Sequence, residues 1–270
     1  MSYYCDKYPI IEKKSISRDT FSITIYAPEA AKAAHAGQFA NISAPGFTLR
    51  RPISICEFSR SRGTLRFVFE VRGKGTEAIS RLNVGDNLDV LGPLGNGFAI
   101  PDSARRAVLV GGGIGVPPML GLAKKLGDRA TAILGFRDYS RIILADEFEK
   151  YGAATAICTD DGSVGYNGMV TGPLESTLKN TGADIVCACG PMPMLNAIAK
   201  ICAQYEVPCK VSLEQRMGCG VGACVVCSCL TVRNGQEHYA RVCKDGPVFD
   251  AKEVKSVSYT HLTLPTTSRV

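Results

Sequence analysis

The sequence contains no tryptophan, and only 7% of its 270 residues are aromatic. Single-stranded nucleic acids are commonly bound by stacking on aromatic side chains, so this scarcity argues against that role. Lysine and arginine never occur in runs longer than two, although the net charge is +6. Because a nucleic-acid surface needs clustered basic residues, we expect no nucleic-acid partner. The mild excess of positive charge suits anionic small molecules instead.

Long hydrophobic runs are also absent. No stretch approaches the roughly 18 uninterrupted apolar residues of a membrane helix, so no membrane association is predicted. The first residues, MSYYCDKYPIIEKK, lack the basic and then apolar pattern of a secretory signal. Apolar residues make up 46% of the chain and charged residues 21%, which is an ordinary globular balance. These features predict a cytoplasmic protein with a sizeable hydrophobic core.

Cysteine, in contrast, is abundant, with 12 residues. A disulfide framework is not expected, because thiols stay reduced in the cytosol. Five of the cysteines fall within a span of 25 residues, and the other seven are dispersed. Clustered cysteines in a cytosolic chain indicate a metal site, whereas dispersed cysteines are typical of small buried residues.

Three successive domains are predicted from the changing rhythm of the sequence. Residues 1–103 contain short alternating segments separated by Gly, Pro and Asn, which predicts an antiparallel β-barrel. Residues 104–213 alternate apolar strands with helical segments, which predicts a doubly wound parallel α/β sheet. Residues 214–255 are too few for a core of their own, so a bound metal cluster is the expected staple. The Thr- and Ser-rich segment 256–270 is interpreted as a non-native or disordered tail.

The most specific motif is Cys219-x4-Cys224-x2-Cys227, followed by Cys243 after fifteen further residues. This spacing fits plant-type [2Fe–2S] sites, in which four thiolates hold two irons. Neighbouring glycines let such a loop curl with its amide groups towards sulfur. Zinc is the alternative, but zinc knuckles favour symmetrical cysteine pairs. We therefore predict a [2Fe–2S] cluster at these four residues, and we interpret Cys229 as a residue without a role in the cluster.

Two segments of the α/β region follow predicted strands and precede predicted helices. The first, GGGIG, offers free amide groups at the positive end of a helix dipole, which is a favourable site for a pyrophosphate. The second, the Cys-Gly pair before PMPM, lies where doubly wound sheets bind ligands, and we predict a nicotinamide contact there. The plain alternative for each segment is a tight turn. The predicted residues are Gly111, Gly112, Gly113, Ile114, Gly115, Cys189 and Gly190.

Two motifs in the β-rich region suit a nucleotide cofactor. RPIS combines a cation that can pair with a diphosphate, a rigid residue, and a hydroxyl that can bond a ring heteroatom. GKGT follows the strand RFVFEV and opens a helical segment, as phosphate-binding loops do. Each motif alone is weak evidence, because these residue types are common on barrel strands. The predicted residues are Arg51, Pro52, Ile53 and Ser54, with Gly75 and Thr76 in the second motif.

In combination, the chain resembles the electron-transfer subunits of class 1B dihydroorotate dehydrogenases, an iron–sulfur flavoprotein branch of the ferredoxin–NADP reductase family. The resemblance spans residues 5–255 and rests on RPIS, GKGT, GPLGNGF, GGGIGVPPM, CGPMPML and EQRMGCGVGACVVCSC in that order. It implies that FAD is held by the RPIS and GKGT residues and by the backbone of Val68, Phe69 and Glu70. It also implies NAD at the GGGIG segment and the cluster at the four cysteines.

The resemblance further implies a place in pyrimidine biosynthesis. An FMN-containing dihydroorotate dehydrogenase catalytic subunit would pass single electrons through the cluster to FAD, which would reduce NAD+, and two copies of each subunit would form a heterotetramer. No catalytic acid or base is predicted in this chain. The alternatives are the small subunit of a ferredoxin–NADP(H) or sulfide oxidoreductase complex, and a zinc-stabilised nucleotide-binding regulator. No acidic residue is placed for an adenosine ribose and Arg137 follows the second strand of the sheet, so NADP stays open.

Overall fold

The computed structural model describes residues 3–255, and the predicted tail 256–270 lies outside the described residues. Six strands form a closed antiparallel barrel: β1 (Tyr4–Ser17), β2 (Thr20–Tyr26), β3 (Phe39–Ile42), β4 (Arg51–Ser59), β5 (Thr64–Glu70) and β6 (Asn87–Leu94). They close in the order β1-β2-β5-β4-β3-β6. Two short helices accompany them: α1 (Pro28–Ala33) and α2 (Lys74–Ser80). Alternate apolar side chains point inwards and form the barrel core.

Nine further strands follow along the described chain: β7 (Ala107–Gly112), β8 (Ala130–Phe136), β9 (Ala154–Thr159), β10 (Tyr166–Asn167), β11 (Ile185–Cys189), β12 (Cys209–Ser212), β13 (Ser228–Arg233), β14 (Gln236–Arg241) and β15 (Val248–Asp250). Seven of them form one sheet in the order β10-β9-β8-β7-β11-β12-β15. All neighbours in it are parallel except β12 and β15. The remaining two, β13 and β14, form an antiparallel hairpin.

Four helices cover the two faces of this sheet: α3 (Pro117–Leu126), α4 (Ala145–Lys150), α5 (Thr171–Asn180) and α6 (Met192–Gln204). On strand β7, Leu109 packs with α3, whereas Val108 and Val110 pack with α5 and α6. The chain leaves β7 towards β8 and later returns to β11 on the other side of β7. The carboxyl ends of β7 and β11 therefore define a topological switch point, where open α/β sheets bind ligands.

A buried ionic network fixes the barrel against the sheet. Glu57 on β4 accepts a hydrogen bond from Lys124 on α3 and another, 2.9 Å long, from the Tyr151 hydroxyl. Arg66 on β5 pairs with Glu147 on α4 through two hydrogen bonds of 2.5 and 3.0 Å. Burial raises the pKa of Glu57, but the bonds from Lys124 and Tyr151 outweigh it and lower the pKa below its usual value. These contacts hold the two large units in one orientation.

The segment that carries the clustered cysteines is attached at both the sheet and the barrel. Strand β15 pairs with β12 at the edge of the sheet. On the barrel side, the Asn96 amide donates to the carbonyl oxygens of Lys244 and Asp245, at 3.2 and 3.1 Å. The predicted fold class, a β-barrel, a doubly wound sheet and a small C-terminal module, is confirmed. Within the described residues, no helix has both the length and the apolar character needed to span a membrane.

Candidate functional site

A cavity of about 200 Å³ lies where the barrel faces the carboxyl ends of the sheet strands. We call it the barrel-side cavity. Strands β4 and β5 and helix α2 contribute seven residues that the sequence predicts to hold FAD: Pro52, Ile53, Ser54, Val68, Phe69, Glu70 and Thr76. The two motifs and the strand between them, far apart in the sequence, thus meet at one cavity because β4 and β5 are neighbours in the barrel.

Arg51 and Gly75, the remaining predicted FAD residues, contact each other beside this cavity. A Cβ atom at Gly75 would lie only 2.2 Å from Nε of Arg51, so the guanidinium packs directly on the glycine. Only a residue without a side chain allows this approach. The Thr76 hydroxyl accepts a 3.0 Å hydrogen bond from the backbone N–H of Arg72 and donates one to the Gly73 carbonyl oxygen. Its side chain therefore shapes the GKGT loop.

A second cavity, of about 550 Å³, lies at the switch point of the sheet. We call it the switch-point cavity. Its lining includes Gly112, Gly113, Ile114, Gly115 and Gly190, all predicted to bind the nicotinamide nucleotide. Gly111 lies one residue deeper in β7, where a Cβ atom would approach Val116 within 2.8 Å.

Close packing of backbone on backbone shapes this second cavity. A Cβ atom at Gly115 would lie 2.3 Å from the carbonyl oxygen of Cys189, so the glycine segment and the end of β11 touch directly. Met194 covers Gly112 and Gly190, since a Cβ atom at either would lie within 2.5 Å of its thioether group. Two predicted segments that are 74 residues apart in the sequence thus form one wall.

The two cavities are adjacent. Arg72, Ile114 and Glu214 line both of them, and Cys189 lines the first while Gly190 lines the second. Burial raises the pKa of the Cys189 thiol to about 12; the Glu214 carboxylate adds to the rise and a hydrogen bond with Ser212 opposes it. This thiol is therefore neutral at physiological pH. Molecules bound in the two cavities would therefore lie next to each other at this junction.

The cysteine loop directs backbone N–H groups at sulfur. Sγ of Cys219 accepts from the N–H groups of Val221, Ala223 and Cys224 at 3.3 to 3.4 Å, and Sγ of Cys224 accepts from the Cys219 N–H at 3.3 Å. Burial would raise the pKa of Cys219, but these donors, led by the Cys224 N–H, outweigh it and lower the pKa to about 6. The loop therefore favours a thiolate, the form that binds metal.

The four predicted ligands lie as two pairs. The Cys219 N–H donates to Sγ of the exposed Cys224 at 3.3 Å, and the Cys243 N–H donates to Sγ of Cys227, both buried, at 3.4 Å. Among the described residues, no three His, Cys, Asp or Glu side chains converge on a single metal position. Two separate thiol pairs fit a two-iron cluster, with two thiolates for each iron, better than a single zinc ion. Cys229 is buried on β13, apart from these pairs.

Arg241 braces the cysteine loop from the side. Its Nη1 atom donates to the Gly222 carbonyl oxygen at 3.2 Å, and its Nε atom pairs with Asp245 at 3.0 Å. The hydrogen bond from the guanidinium lowers the pKa of Asp245. Arg241 thus joins the loop to the segment that follows Cys243, as residues around a metal site commonly do.

The barrel-side cavity and the cysteine module share a wall. Phe39 lines the cavity and belongs to the same apolar core as Cys227 and Cys243. Met217, two residues before Cys219, and Pro247, four residues after Cys243, also line the cavity. The three candidate sites are therefore arranged in series, with the barrel-side cavity between the cysteines and the switch-point cavity.

Several lining residues were not predicted. Four of them become part of the site only because the barrel, the sheet and the cysteine module pack together: Phe39, Arg72, Glu214 and Met217. Asn96 was missed as well, although it lies inside the motif GPLGNGF. Position within that motif was the only signal available, and only the structure explains it as an anchor for the cysteine module.

This arrangement defines a flavin-dependent iron–sulfur oxidoreductase. Residues 7–98 match the model of the oxidoreductase FAD-binding domain, and residues 214–255 match that of the iron–sulfur cluster binding domain of dihydroorotate dehydrogenase B. The predicted FAD and iron–sulfur cofactors are thereby confirmed.

Whole-chain comparisons agree. A Bacillus caldolyticus protein named dihydroorotate dehydrogenase B (NAD(+)), electron transfer subunit, is 39% identical over 257 residues, covering 92% of this chain and 98% of the relative. A Geobacillus thermodenitrificans protein of the same name is 40% identical with the same coverage. The chain belongs to this family of electron transfer subunits, which confirms the resemblance seen in the sequence. A solved chain described in connection with NADH-dependent reduced ferredoxin–NADP oxidoreductase is 33% identical, with a TM-score of 0.81 over 93% of this chain and 90% of that one.

Proposed function

We propose that this chain is the electron-transfer subunit of an NAD-dependent dihydroorotate dehydrogenase in the cytoplasm. A partner subunit would oxidise dihydroorotate, and this chain would carry the electrons to NAD+. The serial arrangement of the three sites supports this proposal most strongly. A nicotinamide accepts two electrons together and a [2Fe–2S] cluster carries one, so FAD, which handles both, belongs in the middle. The barrel-side cavity lies in that middle position.

The residues of the chain would bind and orient the cofactors. Ser54 lines the barrel-side cavity and can meet the flavin ring, while Arg51, held against Gly75, can pair with the diphosphate. The glycine segment 111–115 can accept the pyrophosphate of NAD through its backbone amides. The shared wall at Ile114 and Cys189 would then bring nicotinamide and flavin together. No acid or base is required of this chain for that role.

The partner would meet the chain at the cysteine loop. Cys224 is exposed, and the neighbouring Val225 and Val226 have 60% and 58% of their surface exposed. Electrons would enter most directly at this exposed end of the module. The family resemblance implies that the partner is an FMN-containing catalytic subunit and that two copies of each subunit form the complex.

An anaerobic absorption titration tests the proposal. The purified chain, loaded with FAD and cluster, is titrated with NADH and separately with NADPH. We expect NADH to bleach the flavin and iron–sulfur bands and NADPH to leave them unchanged. Dihydroorotate should then reduce the bands only when the catalytic subunit is added. If neither NADH nor NADPH changed the flavin and iron–sulfur absorption bands of the loaded protein, the proposal would be contradicted.

A second candidate is favoured by one observation, the solved oxidoreductase chain at 33% identity. Under it, the chain would serve a ferredoxin–NADP(H)-type complex. Arg72, Arg137 and Arg141 line a smaller cavity of about 210 Å³ beside the switch point, and Arg137 could face a 2′-phosphate. Bleaching by NADPH in preference to NADH, with no response to dihydroorotate and its catalytic subunit, would favour this candidate.

A further inference from the structure

Asn41 has an unusual position for a polar residue. Its exposed fraction is 0%, and neither Nδ2 nor Oδ1 of its amide has a hydrogen-bond partner. Within the described residues, no other buried side chain has two unpaired polar atoms. A buried carboxamide without partners costs folding free energy, so its retention calls for a partner outside the polypeptide.

The amide points out of the barrel, towards the cysteine loop. Its neighbours on β3, Ala40 and Ile42, lie in the barrel core, whereas Phe39 packs with the cysteine module. Because side chains alternate along a strand, Asn41 shares the outward face with Phe39. A Cβ atom at Gly220 would lie 2.7 Å from Nδ2 of Asn41, so the amide nitrogen lies against the residue that follows Cys219.

Gly220 is suited to this approach in two ways. Its φ of +76° is in the left-handed region, and any side chain there would collide with Asn41 and Leu94. The loop thus presents bare backbone to the amide. Hydrogen bonds to the sulfurs of an iron–sulfur cluster stabilise its reduced form, which carries one more negative charge, and so raise its reduction potential.

We propose that Asn41 is a positioning residue whose Nδ2–H group donates a hydrogen bond to a sulfur of the cluster held by the loop, raising the reduction potential of the cluster. This inference rests on the proposed cluster ligands. Strand β3 would then contact both cofactors, since Phe39 lines the barrel-side cavity and Asn41 donates a hydrogen bond to the cluster. A barrel strand would then set the energy of the electron that enters the flavin.

The test compares reduction potentials of the loaded protein. Asn41→Leu keeps the approximate shape of the side chain and removes the donor. We expect the equilibrium between oxidised and reduced cluster to shift about tenfold towards the oxidised form, which is about 59 mV for one electron. The matched control is Thr231→Val, which removes a buried hydroxyl in the same module that already donates to the His238 carbonyl oxygen at 3.1 Å. The control should leave the potential unchanged.

Asn41→Val provides a second variant, because it removes the donor without adding a charge, and the potential should again fall. The wild-type protein gives a readout that needs no variant: with 15N-labelled asparagine, the reduced cluster should show a nitrogen hyperfine coupling. An unchanged potential in both variants, or no such coupling, would overturn the role of Asn41. Iron and sulfide analysis confirms that each variant holds its cluster when the potential is measured. The titration of the wild-type chain with NADH and dihydroorotate tests the proposed function separately, so the two failures are distinguishable.

Discussion

The sheet and the cysteine loop place the same residue type in opposite environments. In the sheet, Cys187 and Cys189 are buried among apolar groups, and this burial raises the pKa of each thiol to about 12. In the loop, Cys219 accepts three backbone N–H groups, which overcome the effect of burial and lower its pKa to about 6. The difference teaches that backbone donors aimed at one sulfur can overcome burial, as they do at Cys219. Cys243, also a predicted ligand, lacks such a set of donors, and burial together with the hydrogen bond to the Cys227 thiol raises its pKa to about 12.

The largest effect is expected from two neighbouring cysteines, one just before β13 and one on it. Cys227→Ser should abolish the cluster, because it removes one thiolate of the interior pair. Cys229→Ser, two residues away, should keep the cluster, because Cys229 is buried on β13 opposite Ala240 and contributes only packing. Iron and sulfide content, with the visible spectrum, measures both. Equal loss of iron and sulfide in the two variants would mean that the assignment of Cys227 as a ligand and Cys229 as a packing residue is wrong.

A change in the sheet region should spare the cluster. Gly115→Ala forces a Cβ atom against the Cys189 carbonyl oxygen, so we expect a stability loss of about 1–3 kcal/mol and at least tenfold slower reduction of the flavin by NADH. Leu122→Ala, buried on α3 away from both cavities, is the control; it should lose at least as much stability, about 2–5 kcal/mol, with NADH reduction preserved. Cluster content should stay constant in both. If NADH also reduced the flavin more slowly in the control, the effect of Gly115→Ala would be due to lost stability.

A smaller effect is expected from the brace of the loop. Arg241→Gln removes the ion pair with Asp245 and weakens the bond to Gly222. The cluster should form but be lost a few-fold faster to an iron chelator, because the loop opens more readily. Arg233→Gln, which breaks an exposed pair with Glu253 in the same module, serves as the control. Identical chelation rates for all three proteins would show that Arg241 does not hold the loop.

The smallest effect should come from a sheet cysteine. Cys187→Ala trims a buried side chain on β11 and should lower the free energy of unfolding by about 1 kcal/mol, with no change in iron content or spectrum. Denaturant unfolding of the loaded protein measures the free energy of unfolding, and absorption measures the spectrum of the cluster. A spectral change would mean that the sheet cysteines and the loop cysteines are not functionally separate.

Local patterns in the sequence were sufficient for much of the fold. Alternation predicts strands over residues 21–27, 64–71 and 87–92, which correspond to β2, β5 and β6. The sequence likewise predicts helices over residues 172–180 and 193–205, and α5 and α6 lie within one residue of these limits. Strand β1 was not identified, because its 14 residues carry exposed charges in place of a regular alternation. It is a strand because it pairs with both β2 and β6, a long-range condition that no local pattern expresses.

The candidate site divides in the same way. Motifs that bind through backbone or through several cysteines carry their chemistry in their spacing, so GGGIG and the cysteine set could be found in the sequence. Asn41 could not, because a single asparagine has no pattern, and Asn96 was marked only by its position inside GPLGNGF. Their importance depends on what lies opposite them, Gly220 for the first and the 244–247 segment for the second. The predicted domain limits and individual ligand roles stay predictions for the experiments above.

Strand β15 has a consequence for how the chain is made. Its partner, β12, is complete at Ser212, but β15 begins only at Val248, after all four cluster cysteines. During synthesis the edge of β12 therefore waits, with its backbone groups unpaired, until the cysteine segment has emerged. An unpaired edge is a site of aggregation. The cysteine segment must therefore emerge before the edge of the sheet can be covered, so the sheet and the cysteine module are completed by the same late step.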